Sequence, residues 1–194
     1  MTQSSRNDLF LVRHAPADHG GRLCGRTDVA ALIAQGPQLA ALQRLIPSDS
    51  LRLSSPALRC KQTAAALWPG AVIGQDPRLW EQDFGDHDGL PFADIPDLGP
   101  QPLKVLARHR PPGGESFDDM TRRLRPALHD LARHAASTGP VAVVAHAGTV
   151  RAALGIALDQ PYLGLAFDVQ PLSVTRLRSL DQGFAILSVN WLAA

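Results

Sequence analysis

The chain has 194 residues, a formal net charge of +1 and an apolar fraction of 45%. This length suits one domain, taken as residues 1–194, and the apolar fraction allows a sizeable core. The small net charge argues against nucleic-acid binding through bulk electrostatics. Apolar runs stay well short of the roughly 18 residues of a membrane span, and residues 1–8 lack a secretory apolar segment. We therefore expect a cytoplasmic protein without nucleic-acid or membrane partners, with Cys24 and Cys60 as reduced thiols.

Apolar runs and helical periodicities alternate along the chain. Strands are predicted, in chain order, at 9–13, 51–54, 71–74, 141–146, 172–180 and 184–192. Helices are predicted between them at 37–46, 56–68 and 116–135. The continuous apolar character of 9–13 and 141–146 is typical of parallel strands that are covered on both faces. The expected fold class is α/β, a three-layer α/β/α sandwich with a mainly parallel central sheet and one antiparallel edge.

Two helix starts carry local signals. Ser55 is predicted to be the N-cap of the second helix, with Pro56 as its first residue. Ser116 and Asp119 resemble a capping box at the start of the third helix, and Pro126 should kink that helix. We therefore expect both helices to begin at their own local caps.

The composition changes between Glu81 and Gly114, where prolines and glycines are frequent and hydrophobic periodicity is weak. We interpret 82–114 as an irregular, partly helical insertion, because it is too short to bury a core of its own. It is expected to cover the edge of the sheet at which the strands end.

Two predicted central strands each end in a histidine. Arg13 and His14 close the first strand, and His146 closes the second, before a turn of small residues. Ligands bind outside the carboxyl ends of parallel strands, so the two imidazoles are expected to meet there if the strands are neighbours. The turn leads into a helix that is predicted to begin near Thr149. Its backbone N–H groups, from Ala147 onward, would face an anion.

A guanidinium and a carboxyl group are expected at the same edge. Arg59 lies early in the helix 56–68, and helical side chains lean toward the N-terminal end of their helix. With Arg13 it would form a pair of guanidinium forks that match phosphate oxygens. Glu81 follows a predicted strand, where a carboxyl can give and take a proton. Together with His14, these groups suit phosphoryl transfer through an imidazole nucleophile.

Five motifs occur in an order that resembles a known family. They are LVRHA (11–15), SSPALRCKQTA (54–64), LWEQDFG (79–85), PPGGESF (111–117) and VAHAGTVR (144–151). In these motifs the chain resembles the histidine phosphatase superfamily, also called the phosphoglycerate mutase-like family. The resemblance implies that His14 is the nucleophile that becomes phosphohistidine. It also implies that Glu81 is the proton donor and acceptor. The phosphate pocket would consist of Arg13, Arg59 and His146.

Two shorter motifs resemble one group within the family. GRLCGRTDVAAL (21–32) and HRPPGGESF (109–117) resemble the α-ribazole-phosphate phosphatases, which act in assembly of the cobalamin lower ligand. The resemblance implies hydrolysis of α-ribazole 5′-phosphate, with no metal and no cofactor. Candidate substrate-binding residues from the first motif are Cys24, Gly25 and Arg26.

Several alternatives stay open. Arg26 could contact the substrate or pair with Asp28. Gln82 stands where the mutase branch of the family has Arg, so mutase activity is not expected. The partner is expected to be a small-molecule phosphate ester, and a homodimer is compatible with the sequence. Rival functions are a broad-specificity or sugar-phosphate phosphatase, a phosphoprotein phosphatase, a non-catalytic phosphate-binding module, and a metal site at His14, Asp18 and His19.

Overall fold

Two buried apolar segments form the centre of a six-stranded sheet. In the computed structural model, which describes residues 6–34 and 36–192, β1 (Asp8–Arg13) pairs in parallel with β4 (Val141–Ala145). The remaining strands are β2 (Leu51–Ser54), β3 (Gly74–Gln75), β5 (Val174–Ser179) and β6 (Phe184–Trp191). Their order is β3-β2-β4-β1-β5-β6, in which the first four strands are parallel and the last two are antiparallel. The predicted mainly parallel sheet with one antiparallel edge is confirmed.

Helices cover both faces of this sheet. They are α1 (Pro37–Leu45), α2 (Leu58–Leu67), α3 (Leu103–Arg108), α4 (Phe117–Ser137) and α5 (Ala147–Ala157). Successive residues of a strand point to opposite faces, so Leu9 and Leu11 pack with α4 and α5, whereas Phe10 and Val12 pack with α1 and α2. The core is thus divided by the sheet into two apolar layers, and the three-layer sandwich is confirmed. None of the helices in the described part of the chain is long and apolar enough to cross a membrane.

The two predicted helix starts have different outcomes. Ser116 and Asp119 form the capping box at the start of α4, and the helix continues through Pro126. The prediction for α2 is wrong, because the helix begins at Leu58 and its first N–H donates to the Asp28 carboxylate, 2.6 Å away. The acceptor therefore comes from a distant segment of the chain. The hydroxyl of Ser55 has a different partner, described below.

Most of the other predicted elements differ from the structure by one or two residues at an end, and two differences are larger or affect the site. β3 contains only Gly74 and Gln75 rather than 71–74, because only these residues pair with the end of β2 at the sheet edge. The helix α5 begins at Ala147, two residues before the predicted start, so its N-terminus follows His146 directly. The second difference places the first backbone N–H groups of α5 beside the imidazole.

The segment 82–114 contains short helices and is hydrogen-bonded to another loop. It includes α3 and two single 3-10 turns, Gly85–His87 and Phe92–Asp94. Leu23 donates its N–H to the Leu90 carbonyl at 2.9 Å, and the Leu23 carbonyl accepts the N–H of Gly89 at 2.7 Å. The loop that follows β1 and the segment 82–114 therefore form one continuous surface at the carboxyl ends of the strands.

A buried carboxylate anchors the beginning of β1. Asp8 is fully buried, and its two oxygens each accept a hydrogen bond of 2.7 Å, one from Nε of Arg176 and one from Nε of Arg178 on β5. Buried charges are stable only when they are paired and hydrogen-bonded. This pairing holds β1, and hence the residues that follow it, in register with the antiparallel edge.

We predict that Asp8→Asn destabilises the protein, because two guanidinium groups lose their shared counter-ion. The arginines are partly exposed, so we expect the unfolding free energy to fall by about 3 kcal/mol, the lower end of the range for a broken buried ion pair. Urea denaturation measures the loss. The exposed Asp49 provides the control, and Asp49→Asn should change stability by less than about 0.5 kcal/mol. Equal effects of the two changes would contradict the anchoring role.

Candidate active site

The ends of β1 and β4 bring two imidazoles together. These strands are neighbours, and His14 donates its backbone N–H to the Ala145 carbonyl at 2.9 Å. The rings of His14 and His146 meet edge to face, with centroids 5.3 Å apart and planes inclined by 71°. Both residues are buried, His14 at 6% exposure and His146 at 0%. Two titratable rings therefore share one water-poor space at the carboxyl edge of the sheet.

The local contacts of His14 leave one ring nitrogen free to react. Its Nδ1 lies 2.6 Å from the carbonyl oxygen of Ala15. A carbonyl can only accept, so Nδ1 carries the proton and Nε2 has the lone pair. Burial lowers the pKa of His14 to about 3, and the positive charges of Arg59 and Arg13 contribute in the same direction. The ring is therefore neutral near pH 7, and Nε2 is a competent nucleophile.

Arg59 is a buried cation in the second position of α2. Its exposure is 1%, and its guanidinium donates to the carbonyls of Cys24, Gly25 and Thr27 at 3.3, 2.9 and 3.2 Å. Its Nη2 atom, which donates to Cys24 and Gly25, also lies 3.3 Å from Nδ1 of His146. The side chain reaches this position because helical side chains lean toward the N-terminus of their helix. Arg59 thus joins the loop 24–27 to the histidine pair.

Arg13 supplies a second guanidinium. Its Nη1 donates to the carbonyl of Val169, whereas its Nε is buried and has no hydrogen-bond partner among the described residues. Burial is the largest cause of a lowered pKa of Arg13, and the negative charge of Glu81 opposes that shift. Buried donors are normally satisfied, so an unpartnered one beside a pocket suits an anionic ligand.

Glu81 reaches the start of α5. Its Oε2 accepts the backbone N–H of Gly148 at 3.2 Å, and its Oε1 accepts the N–H of Gln82 at 3.0 Å. A Cβ at position 148 would lie only 2.1 Å from Oε1, so only glycine permits this approach. The neighbouring Ala147 is the first residue of α5, where backbone N–H groups have no acceptor within the helix. The carboxyl group of Glu81 therefore lies against the N-terminus of α5.

These groups surround a pocket of about 200 Å³. It is lined by Arg13, His14, Ala17, His19, Arg22, Leu23, Cys24, Arg59, Glu81, Phe84 and Phe92. The imidazole of His146 lies behind this lining, in contact with Arg59. His19 has no role in the sequence interpretation except in the metal alternative, yet it lies in the pocket wall. No cluster of three or more metal-ligating side chains occurs among the described residues.

The three candidate substrate-binding residues have different positions. Cys24 lines the pocket. Gly25 presents its carbonyl to Arg59 rather than to the open space. Arg26 forms ion pairs with Asp83 and Glu115, at 3.9 and 3.8 Å, instead of pairing with Asp28. Of the three candidate residues, only Cys24 lines the pocket.

Three residues that are not among the predicted site residues contact these groups. Ser55 contacts the ring of His146 at 2.8 Å. Trp80 stacks on that ring, with centroids 6.4 Å apart and planes inclined by 11°. Arg123 of α4 donates to the carbonyls of Trp80 and Glu81, at 3.1 and 3.3 Å. Only Trp80 had a signal in the sequence, since it directly precedes Glu81; the other two contacts are long-range.

A larger, mainly apolar chamber of about 420 Å³ adjoins the catalytic pocket. The two cavities share Leu23 and Phe84 in their walls, so they are contiguous. Further lining residues are Gln82, His87, Ile95, Pro96, Leu98, Leu103, Leu106, His109, Pro111, Phe117, Arg151 and Leu165. An apolar cavity with a few polar groups next to reactive side chains is typical of a ligand site.

Comparison with known proteins identifies the family. Residues 9–192 match the histidine phosphatase superfamily, branch 1. A glucosyl-3-phosphoglycerate phosphatase from Mycolicibacterium vanbaalenii is 32% identical, over 84% of this chain and 77% of its own length. A structure of mycobacterial glucosyl-3-phosphoglycerate phosphatase with VO3 is 29% identical and superposes with a TM-score of 0.79 over 96% and 99% of the two chains.

One solved structure concerns the group suggested by the shorter motifs. A protein from Escherichia coli, provisionally assigned as an α-ribazole-5′-P phosphatase, has a TM-score of 0.78 over 95% of this chain and 96% of its own. Its sequence identity is 20%, so this likeness concerns the fold alone. The family is shown instead by the match over residues 9–192 and by the 32% identical mycobacterial relative. The chain belongs to the histidine phosphatase superfamily and is a phosphatase of its branch 1.

Proposed function

We propose that this protein hydrolyses phosphate monoesters through a phosphohistidine at His14. The observation that carries the proposal is the free Nε2 lone pair of a neutral His14 in a pocket that also contains two guanidinium groups and Glu81. Arg13 and Arg59 supply the positive charge that a phosphoryl group needs, so the mechanism requires no metal ion.

The proposed reaction has two steps. First, Nε2 of His14 attacks phosphorus, the ester P–O bond breaks, and protonated Glu81 gives its proton to the leaving oxygen. Second, water attacks the phosphohistidine, the P–N bond breaks, and the Glu81 carboxylate takes the proton from the water. The guanidiniums and His146 stabilise the charge on the equatorial oxygens in both steps. Inorganic phosphate leaves, and the enzyme returns to its starting state.

For the substrate, we propose α-ribazole 5′-phosphate, in assembly of the cobalamin lower ligand. The support is the apolar chamber beside the catalytic pocket, to which the segment 82–114 contributes Ile95, Leu98 and Leu106. We propose that this segment covers the active-site edge of a single domain and receives the leaving group. A benzimidazole riboside is bulky and neutral, so burial of its ring can contribute binding energy in the transition state.

A second candidate substrate is glucosyl-3-phosphoglycerate, on which the mycobacterial relatives act by name. One observation favours it beyond the likeness. Among the described residues that line the chamber, Arg151 alone carries a permanent charge, and its Nε donates to the carbonyl of Phe167. Its remaining nitrogens are suited to a carboxylate, which the glycerate has and the riboside lacks.

We predict that His14→Ala lowers kcat by at least roughly 10³-fold, because the nucleophile is lost, without unfolding the protein. Wild type quenched with labelled substrate in excess EDTA should carry acid-labile, base-stable phosphate on His14. His134→Ala, outside the pocket, is the control and should retain full activity. Label on a serine or an aspartate would contradict the mechanism. Absence of both label and turnover would indicate a non-catalytic phosphate-binding module.

We expect Glu81→Gln to distinguish leaving groups. General acid–base assistance contributes about 10²–10⁴-fold, so alkyl phosphates should slow by that factor. Aryl phosphates have acidic leaving groups that need little protonation, so formation of phosphohistidine should suffer much less. Rapid-quench kinetics on both substrate types measures the difference. Asp86→Asn removes an exposed carboxylate nearby and should have no effect; if it mimics the expected Glu81 phenotype instead, the acid has been misassigned.

The substrate proposal predicts discrimination by the leaving group. kcat/KM for α-ribazole 5′-phosphate should exceed that for ribose 5-phosphate at least tenfold, which is about 1.4 kcal/mol. Leu106→Gln, in the chamber wall, should reduce the ratio. Val105→Gln, on the exposed side of the same helix, should leave it unchanged. Equal values for the two ribosyl phosphates would exclude the α-ribazole assignment. A higher value for glucosyl-3-phosphoglycerate, lost in Arg151→Gln, would select the second candidate.

A further inference from the structure

The hydroxyl of Ser55 lies against the second histidine of the site. Ser55 and His146 are both fully buried, and Oγ lies 2.8 Å from Nε2 of the ring. The backbone N–H of Ala57 also reaches this oxygen, at 3.3 Å. Among the described residues, Ser55 Oγ is the only hydroxyl within hydrogen-bonding distance of the ring.

The contact with Arg59 determines which nitrogen of His146 carries the proton. A guanidinium can donate but never accept, and Nη2 lies 3.3 Å from Nδ1 of the ring. Nδ1 must therefore present a lone pair, so the neutral ring has its proton on Nε2 and donates it to Ser55 Oγ. Burial holds the pKa of His146 well below its ordinary value, and the charge of Arg59 adds to the shift. The free enzyme thus contains a neutral His146.

This arrangement is unsuited to a bound phosphate unless it changes. A phosphate oxygen held by Arg59 next to Nδ1 would meet the lone pair of that nitrogen, and two lone pairs repel each other. A proton at Nδ1 would instead let the ring donate to a phosphate oxygen. The negative charge of the ligand offsets the neighbouring guanidiniums, which are the groups that oppose a charged ring.

The other groups around His146 do not supply this proton. From α2, Cys60 lies 3.6 Å from Nε2, and burial raises the pKa of its thiol, so it stays protonated. Arg123 of α4 is another cation and opposes a charged ring, as does His14 at the end of β1 when it is protonated. Glu81, from the loop before 82–114, is committed to the leaving group in the proposed mechanism. The proton must therefore come from solvent.

We propose that Ser55 is a positioning residue that holds the Nε2–H of His146, so that Nδ1 takes up one proton from solvent when a phosphate dianion binds. Only an N–H bond forms, and the proton returns to solvent when phosphate leaves. The inference rests on the proposed phosphate-binding role of His146. It does not depend on phosphohistidine formation, which the trapping experiment on His14 tests separately.

Calorimetry with tungstate tests the role of Ser55, since tungstate is a tetrahedral dianion near neutral pH. Wild type should take up one proton per tungstate, read from the dependence of the binding enthalpy on the ionisation enthalpy of the buffer. Ser55→Ala should bind tungstate about tenfold more weakly than wild type and take up less than one proton. Ser55→Thr should restore both the tungstate affinity and the proton uptake of wild type. Ser54→Ala is the matched control, because Ser54 is equally buried and its Oγ has no hydrogen-bond partner among the described residues. Full proton uptake in Ser55→Ala would overturn the proposal.

A spectrum of the imidazole nitrogens provides the decisive measurement, and it needs no variant of Ser55 to fold. Long-range proton–nitrogen correlation, assigned with His146→Gln, should show Nε2 alone protonated in the free enzyme and both nitrogens protonated with tungstate. A neutral His146 in the complex, or a free ring protonated on Nδ1, would overturn the inference. Turnover and phosphohistidine could persist in either case, so the proposed function would stand. Failure of tungstate to bind would overturn both.

Discussion

The structure of the site depends on one buried cation, the guanidinium of Arg59. A charge with 1% exposure is stable only when its donors are satisfied, and three backbone carbonyls of the loop 24–27 accept from it. The same requirement fixes that loop against α2 and sets the tautomer of His146. Because part of the neutralisation comes from carbonyl dipoles rather than from a carboxylate, the positive charge remains available to a phosphate.

The carboxyl group of Glu81 is positioned by the guanidinium of Arg123. Arg123 donates to the carbonyls of Arg78 and Trp80, at 2.6 and 3.1 Å, and pairs with Glu115, which begins the approach to α4. These contacts hold the backbone that leads into Glu81. The absence of a Cβ at Gly148 then allows the carboxyl to reach the start of α5. A fixed backbone and one small residue thus place the Glu81 carboxyl group at the start of α5, in the wall of the pocket.

The histidine pair with Arg59 and the apolar chamber belong to different parts of the fold. Strand ends and helix starts of the central sandwich carry His14, Arg59 and His146, whereas the chamber walls come largely from 82–114. The two parts are joined by Asp88, whose carboxylate accepts the backbone N–H groups of residues 26 and 27 at 2.6 and 3.0 Å. The central sandwich can therefore stay the same while the chamber wall varies, which is how one fold can carry sites for several ligands.

The sequence by itself predicted the mainly parallel sheet with an antiparallel edge and the phosphatase family. Continuous apolar runs ending in His14 and His146 predict parallel strands, and the ends of two such strands meet at one edge when the strands are neighbours. The capping box at Ser116 was also readable, because all its members lie within four residues. The residue types and the order of the five motifs then indicate phosphoryl transfer and the histidine phosphatase superfamily. These features are local patterns, or consequences of a topology that local patterns define.

Only the tertiary structure decided which groups complete the site. Ser55 has the local signature of a helix cap, yet its hydroxyl contacts His146, while Asp28 from a distant loop receives the first N–H of α2. His19 has no distinguishing neighbours in the sequence but lies in the pocket wall. The chamber is formed by side chains brought together from several segments, so no spacing along the chain could reveal it. Local propensity cannot resolve such cases, because each hydroxyl, carboxylate or ring has several possible partners and long-range packing selects among them.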